Sequence, residues 1–179
     1  MWFLVKIIRP IYAYPLGLIF ALIALIRVVS DIDLLRQYQD NVRAWEEIKT
    51  LEDLQNYFKT RYKYKSDGLG GLLDHHNFSI EFFSGGGDCD DMAFYAFKKL
   101  KDITLKSKIF TGYMASIYWM YGNGVTQWHF DCKYTSMENF NDSFWFNYGL
   151  CTKETIMDKN DEYKKLYGWK NTIKFVRIK

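Results

Sequence analysis

The sequence predicts an α+β fold: helices first, then a mostly antiparallel β-sheet, with a hydrophobic helix ahead of both. Three observations predict it. Ile11 to Ile26 runs without a single charge. From Ser30 to Tyr62, and again from Asp90 to Leu100, apolar residues recur at spacings of three and four, the period of a helix with one buried face. From Ile109 onward β-branched and aromatic residues dominate, and Gly122-Asn123-Gly124 is a hairpin signal among them. Helices gathered before strands is the α+β order. The chain has 179 residues, 49% of them hydrophobic and 19% aromatic, which suits one globular domain with a packed core and a small extra element. Residues 1–30 are therefore read as a hydrophobic membrane-anchor or assembly helix, and residues 31–179 as the globular domain.

The first element is the apolar run. As a helix, Ile11 to Ile26 spans about 24 Å, somewhat short of the roughly 30 Å hydrocarbon core of a bilayer. Val28 and Val29 extend it, and Arg27 can snorkel. Tyr12, Tyr14 and Trp2 suit an interface. Lys6 and Arg9 precede the run, and no small-residue cleavage site follows it, so the expectation is an uncleaved, single-pass anchor. The other reading is a helix buried against a partner. Pro15 and Gly17 are compatible with a spanning helix. Basic residues flank both ends, so orientation is not fixed.

Ser30 opens a helical segment whose apolar stripe is Ile32, Leu34, Leu35, Tyr38, Val42, Trp45 and Ile48. Thr50-Leu51-Glu52-Asp53 reads as a capping box, with Thr50 as N-cap and Asp53 in place of the usual Glu. A helix from Leu51 to about Tyr62 follows, with Leu54, Tyr57 and Phe58 inward. Lys65 to Gly87 is turn-rich and reads as a long loop, pinned by Phe78, Ile80, Phe82 and Phe83. Ile109 to Tyr121, Val125 to Tyr134, Phe144 to Tyr148 and Thr172 to Ile178 read as strands.

A net charge of +3, with no basic run longer than a pair, excludes nucleic acid as a partner class. The three cysteines, Cys89, Cys132 and Cys151, are not a disulfide framework. Cys132 and Cys151 either form one bridge or are two reduced, buried thiols. No cysteine pair has metal-ligand spacing, and three histidines are too few for a zinc site, so no metal or cofactor is predicted. The vicinal His75-His76 reads as surface loop.

Chemistry concentrates at Gly85-Gly86-Gly87-Asp88-Cys89-Asp90-Asp91-Met92-Ala93. A glycine turn delivers a cysteine onto the start of a helix, where unpaired N–H groups and the helix dipole favour thiolate over thiol. Asp88, Asp90 and Asp91 can cap that helix, but their charge opposes the thiolate. Downstream, His129 lies in Gln127-Trp128-His129-Phe130-Asp131 and Asn147 in Phe144-Trp145-Phe146-Asn147-Tyr148. Cysteine, histidine, then carboxamide is the order of a nucleophile, its base and the group that orients the base. Asp131 and Asp142 are substitutes for Asn147, and Asp131 shares the strand face of His129.

The stretch Gly86-Gly87-Asp88-Cys89-Asp90-Asp91-Met92-Ala93 resembles the cysteine motif of bacterial transglutaminase-like cysteine peptidases, in the transglutaminase-like branch of the papain-like superfamily. Tyr62-Lys63-Tyr64-Lys65-Ser66-Asp67 and Leu73-Asp74 are similar to the loop ahead of that cysteine. His129 on one strand and Asn147 on the next match the family's histidine and its Asp/Asn. The resemblance covers about residues 50 to 150. It implies a nucleophile helix packed on an antiparallel sheet and makes residues 31–179 a transglutaminase-like domain. It implies a protein or peptide substrate and a Cys89-His129-Asn147 triad. The family's third residue is commonly Asp; a neutral Asn147 orients the imidazole but stabilises imidazolium less. In these roles Cys89 is acylated, His129 protonates the leaving amine, and the Cys89 backbone N–H helps hold the oxyanion. Hydrolysis and transamidation are not separated by the sequence. The alternative is a non-catalytic module of the same fold that binds a peptide or docks in an assembly.

Overall fold

The computed structural model describes residues 9–65, 77–106, 113–122, 127–136, 143–147, 150–153, 156–167 and 174–177. It is a mixed helix and antiparallel-sheet structure with an apolar N-terminal helix. The chain forms two compact units, Met1–Asp91 and Met92–Lys179.

The first unit is helical. It comprises α1 (Arg9–Ser30), α2 (Ile32–Glu46), α3 (Leu51–Thr60) and α4 (Ser79–Gly85), and it ends in the first turn of α5 (Cys89–Lys106). Helix α1 continues through Ser30, whose hydroxyl bonds back to the Arg27 carbonyl. The cap of α2 is therefore Asp31, one residue later than the sequence suggests. Its carboxylate accepts from Asp33 N and Leu34 N. Thr50 and Asp53 form the reciprocal capping box expected of them. Those N–H groups hold the Asp53 carboxyl below the ordinary carboxylate range, the Lys49 N–H contributing most.

Part of the stretch read as a loop is helical. Helix α4 is short, and its first turn is closed by Glu81, which accepts the Phe78 N–H at 3.2 Å. Its Phe82 and Phe83 are buried, as expected of pinning residues. They meet Trp45 edge-to-face at 5.8 and 5.7 Å, and Trp45 also meets Tyr57 at 5.0 Å and Phe58 at 6.0 Å. Such pairs add about 0.5–1.5 kcal/mol each beyond area burial. Asn41 ties α2 to α4 by donating to the Phe83 carbonyl at 2.8 Å.

Helix α1 packs on α4 and α2 through Ala13, Gly17, Ala21 and Val28, a stripe of mostly small residues. The opposite half is apolar and exposed: Ile11, Leu18, Ile19, Leu22, Ile23, Ile26 and Val29. Residues Ile11–Ser30 are long and apolar enough to cross a membrane.

The second unit holds the rest of α5 and a sheet of β1 (Tyr113–Gly122), β2 (Gln127–Ser136), β3 (Ser143–Asn147), β4 (Leu150–Lys153) and β5 (Lys174–Arg177), with α6 (Ile156–Tyr167) between the last two strands. The order is β4-β3-β2-β1-β5, and every neighbouring pair is antiparallel. The four expected strands are present over their described residues, while 109–112, 125–126, 148, 172–173 and 178 of the expected spans lie outside the described residues; β4 and α6 have no counterpart in the sequence reading. One sheet face buries Ala115, Ile117, Cys132, Tyr134 and Phe146. Helix α5 meets that face where the Tyr134 hydroxyl lies 2.6 Å from Thr104 Oγ1. Thr104 spends its own proton on the Leu100 carbonyl, so Tyr134 is the donor between them.

Cys132 is buried and not part of a disulfide. It pairs with Phe146 on β3, and Phe146 pairs with Cys151 on β4. Two strand spacings, roughly 9–10 Å, separate the two cysteines, beyond the roughly 7 Å limit for a disulfide. The bridge considered from sequence is thereby excluded.

Candidate functional site

Cys89 is the first residue of α5, a helix of 18 residues. It is half-buried and not part of a disulfide. The glycine turn that delivers it is held from two directions. From the α3 side, Gly87 N donates to the Lys63 carbonyl at 3.2 Å, and Lys65 N donates to the Gly87 carbonyl at 2.8 Å. Tyr64 and Gly87 thus form an isolated parallel β-bridge. The Tyr62 hydroxyl lies 2.7 Å from both the Gly87 and Asp88 carbonyls and shares its proton between them.

Gly86 has φ +84° and ψ −158°. That region is essentially closed to residues with a Cβ. A Cβ at Gly86 would also run into the Lys63 carbonyl, and one at Gly87 into Asn77 and Asp91. Gly86 and Gly87 are thus needed for close approach of their neighbours, and Gly86 also for its positive φ, whereas Gly85 faces open space.

From the other direction comes Asp91, which is fully buried. Its Oδ1 accepts Asn77 N at 2.9 Å, and its Oδ2 accepts the Asn77 side-chain amide and, at 3.4 Å, Asp88 N. Asn77 Nδ2 also lies 3.2 Å from the Gly86 carbonyl. Asp88 caps α5, accepting Asp90 N at 3.2 Å. The capping role expected of the aspartates is therefore filled by Asp88 and Asp91. The carboxylates of Asp88, Asp90 and Asp91 lie within 4.8 Å of one another, close enough to share a cation. Those of Asp88 and Asp91 already accept backbone N–H groups.

Burial, and then the Asp91 and Asp88 charges, hold the Tyr62 hydroxyl well above the ordinary tyrosine range. The sign is fixed by linkage. Above pH 10 the unfolded chain releases this proton and the folded chain keeps it, so stability falls as pH rises past that point. Tyr62→Phe is expected to flatten this alkaline decline. It should also cost about 1 kcal/mol at neutral pH through the lost carbonyl contact. Thermal unfolding on either side of pH 10 checks both; an unchanged decline would assign it elsewhere.

His129 lies on β2, paired with Met120 of β1. Asn147 ends β3, paired with Leu150 of β4. Strands β2 and β3 are hydrogen-bonded neighbours, and extending their register by one pair sets Asn147 opposite Asp131, two residues from His129. The side chains of His129, Asp131 and Asn147 lie outside the described residues, as do Asp142, His75 and His76 altogether. Cys89 belongs to Met1–Asp91, and the two strands to Met92–Lys179. Strand alternation gives positions 129, 131 and 147 the parity of Lys133 and Trp145, whereas Tyr134, which α5 meets, has the other.

No family model, curated protein or solved structure matches this chain.

Sequence reasoning named the aspartates but not what they hold. Asn77 stood in a run of turn residues and Tyr62 in an aromatic-rich helix end. Asn77 lies nine positions before Gly86, whereas Tyr62 lies twenty-five before Gly87 and is marked only by the Tyr62-Lys63-Tyr64-Lys65 segment of the resemblance. Lys133 is a buried cation on a strand that carries Trp128, Phe130 and Tyr134.

Proposed function

We propose that this chain is a thiol-dependent peptidase, amidase or acyl transferase of the transglutaminase-like kind, with Cys89 as nucleophile, His129 as base and Asn147 as the orienting group. The observation that carries the reading is the setting of Cys89: a half-exposed thiol outside any disulfide, at the first position of a long helix. The turn before it is fixed by Tyr62, Lys63, Lys65, Asn77 and Asp91. A turn held this tightly pre-organises both sulfur and helix-terminal N–H groups, which is what attack on a carbonyl and oxyanion stabilisation require. The thiolate adds to an amide carbonyl; the amine leaves with a proton from the imidazolium; water or a second amine then takes the acyl group. The substrate is a protein or peptide amide. Pairing Cys89→Ala with cleavage and amine-incorporation assays on glutamine-containing peptides tests the class: loss of both activities supports it, and retention of either in Cys89→Ala removes it.

A second reading is a peptide-binding or structural module. It is favoured by the strand parity of positions 129 and 147, which is not that of the sheet face α5 meets. The two readings part on whether the reactivity of Cys89 depends on His129.

Attachment to a membrane is assigned to α1, whose length allows a single pass. Its exposed half is apolar, and its small-residue stripe is occupied by α4 and α2. Deleting residues 1–29 is expected to release the protein from sedimenting membranes into the soluble fraction. Continued pelleting with membranes would place the attachment elsewhere.

A further inference from the structure

We propose that α1 lies along the membrane surface instead of crossing it, with the face of Leu18, Ile19, Leu22, Ile23 and Ile26 sunk among the acyl chains of one leaflet. The inference rests on the assignment of membrane attachment to α1 and goes on to how the helix lies.

Length allows either arrangement; packing separates them. The groove between α1 and α4 is lined by Leu18, Ile19, Ala21, Leu22 and Leu25 on one side and Ile80 on the other, and holds about 510 Å³. Those α1 residues are the middle of the apolar span Ile11–Ser30. Helix α4 therefore stands beside the midpoint of α1, within the same compact unit. A crossing α1 would put α4 at the centre of the bilayer. With seven residues, α4 is about 10 Å long and cannot cross. Its non-helical flanks, Asn77–Phe78 and Gly86–Asp88, would lie at lipid depth, together with the Glu81 carboxylate that closes its first turn. Irregular backbone is not found exposed to hydrocarbon, and charged groups there are costly. Helix α2, which also packs on α1, adds the exposed charges of Asp33 and Arg36.

Lying flat removes the conflict. The stripe of Ala13, Gly17, Ala21 and Val28 keeps its protein neighbours, and the opposite half takes lipid. A helix that is apolar all round needs cover all round. On that half the exposures run from 47% at Ile23 to 70% at Ile11, a patch larger than the few hundred Å² a monomer usually leaves bare. It extends about 27 Å along the helix. At about 100° per residue, Tyr14 and Arg27, both exposed, fall about 110° to either side of its centre. From there a phenol and a guanidinium reach the headgroup layer while the face between them sinks about 5–10 Å. Tyr12 and Ser30 stand at the ends of the face, and between them it is aliphatic. Protein interfaces are anchored instead by aromatic, methionine and arginine side chains, so lipid is the occupant and not a second copy.

The test uses the full chain with a short epitope tag at each end, each behind a specific protease site, reconstituted into sealed phosphatidylcholine vesicles. Sedimentation of the vesicles reads attachment; protease added outside reads the path of α1. A flat helix leaves both ends on one side, so each chain is expected to lose both tags or neither, whichever way it faces. Chains that lose one tag only would overturn the proposal and leave a single pass in its place. Chains absent from the vesicles, monomeric or self-associated, would remove attachment itself and the proposal with it. Leu22→Glu combined with Ile26→Glu is expected to lower partition onto the vesicles about tenfold or more. Both side chains are exposed, so the melting temperature of this variant in detergent should match the wild type. Its retention on the vesicles would place the attachment on another face and overturn the proposal.

Discussion

Asp91→Ala is expected to cost about 3–5 kcal/mol of folding stability, a large part of the roughly 5–15 kcal/mol available to a domain. The side chain is fully buried, and its oxygens take the Asn77 backbone N–H, the Asn77 amide and the Asp88 N–H. Alanine removes the carboxylate acceptor of the Asn77 and Asp88 backbone N–H groups and one of the two acceptors of the Asn77 amide. Each buried donor so stranded costs about 1–3 kcal/mol. Asp91→Asn keeps the shape but swaps one acceptor for a donor pointing at donors, so its cost should fall between those of alanine and the wild type. Urea unfolding gives the total. Hydrogen exchange of the Asn77 amide localises it, because that proton should lose protection in Asp91→Ala. A loss under about 1 kcal/mol with Asn77 still protected would mean that the turn is held by the Lys63 and Lys65 bridge instead.

What could be read in the sequence was what is local. The Thr50–Asp53 capping box needs only residues three apart, and it forms as written. The start of α5 at the cysteine follows from a glycine turn and an acidic first turn. The strands flanking Gly122-Asn123-Gly124 follow from β-rich composition on both sides. Ser30 and Asp31 are both competent caps, and only the three-dimensional path of α1 chooses Asp31.

What escaped was either short or long-range. Helix α4 has seven residues between turn formers, too few for a helical period to register. Asn77 reaches Asp91 across fourteen positions, and Asn41 reaches Phe83 across forty-two. No pattern in the chain announces such pairs. The burial of Lys133 follows from β2 lying at the centre of the sheet with both faces covered. A strand with two buried faces shows no clean alternation, so its inward charge looks like any solvated lysine.

Alkylation of Cys89 is expected to be rapid well below pH 8.5, the ordinary thiol range, and to slow at least tenfold in His129→Ala. The expectation rests on a balance of charges at the start of α5. The helix terminus favours a thiolate by at most about 2 kcal/mol, or about 1.5 pK units. Asp88, Asp90 and Asp91, whose carboxylates cluster within 4.8 Å of one another, oppose it from the same turn, and as a general scale a full charge at about 5 Å acts with about 3 kcal/mol at an effective dielectric of 20. Backbone N–H groups blunt Asp88 and Asp91 but do not reverse them. The helix terminus therefore cannot activate this cysteine alone, and a cation must supply the difference. In the proposed triad that cation is the His129 imidazolium. Cys132, fully buried and outside any disulfide, is the internal reference and should stay unmodified while the fold is intact. Cys89→Ala should then lower any acyl-transfer rate by about 10³-fold or more with little change in melting temperature, since the thiol is only half-buried. Slow alkylation near pH 8.5, indifferent to His129, would leave the carboxylates as the winning term. It would make the pinned turn a rigid element of a binding module rather than of an enzyme.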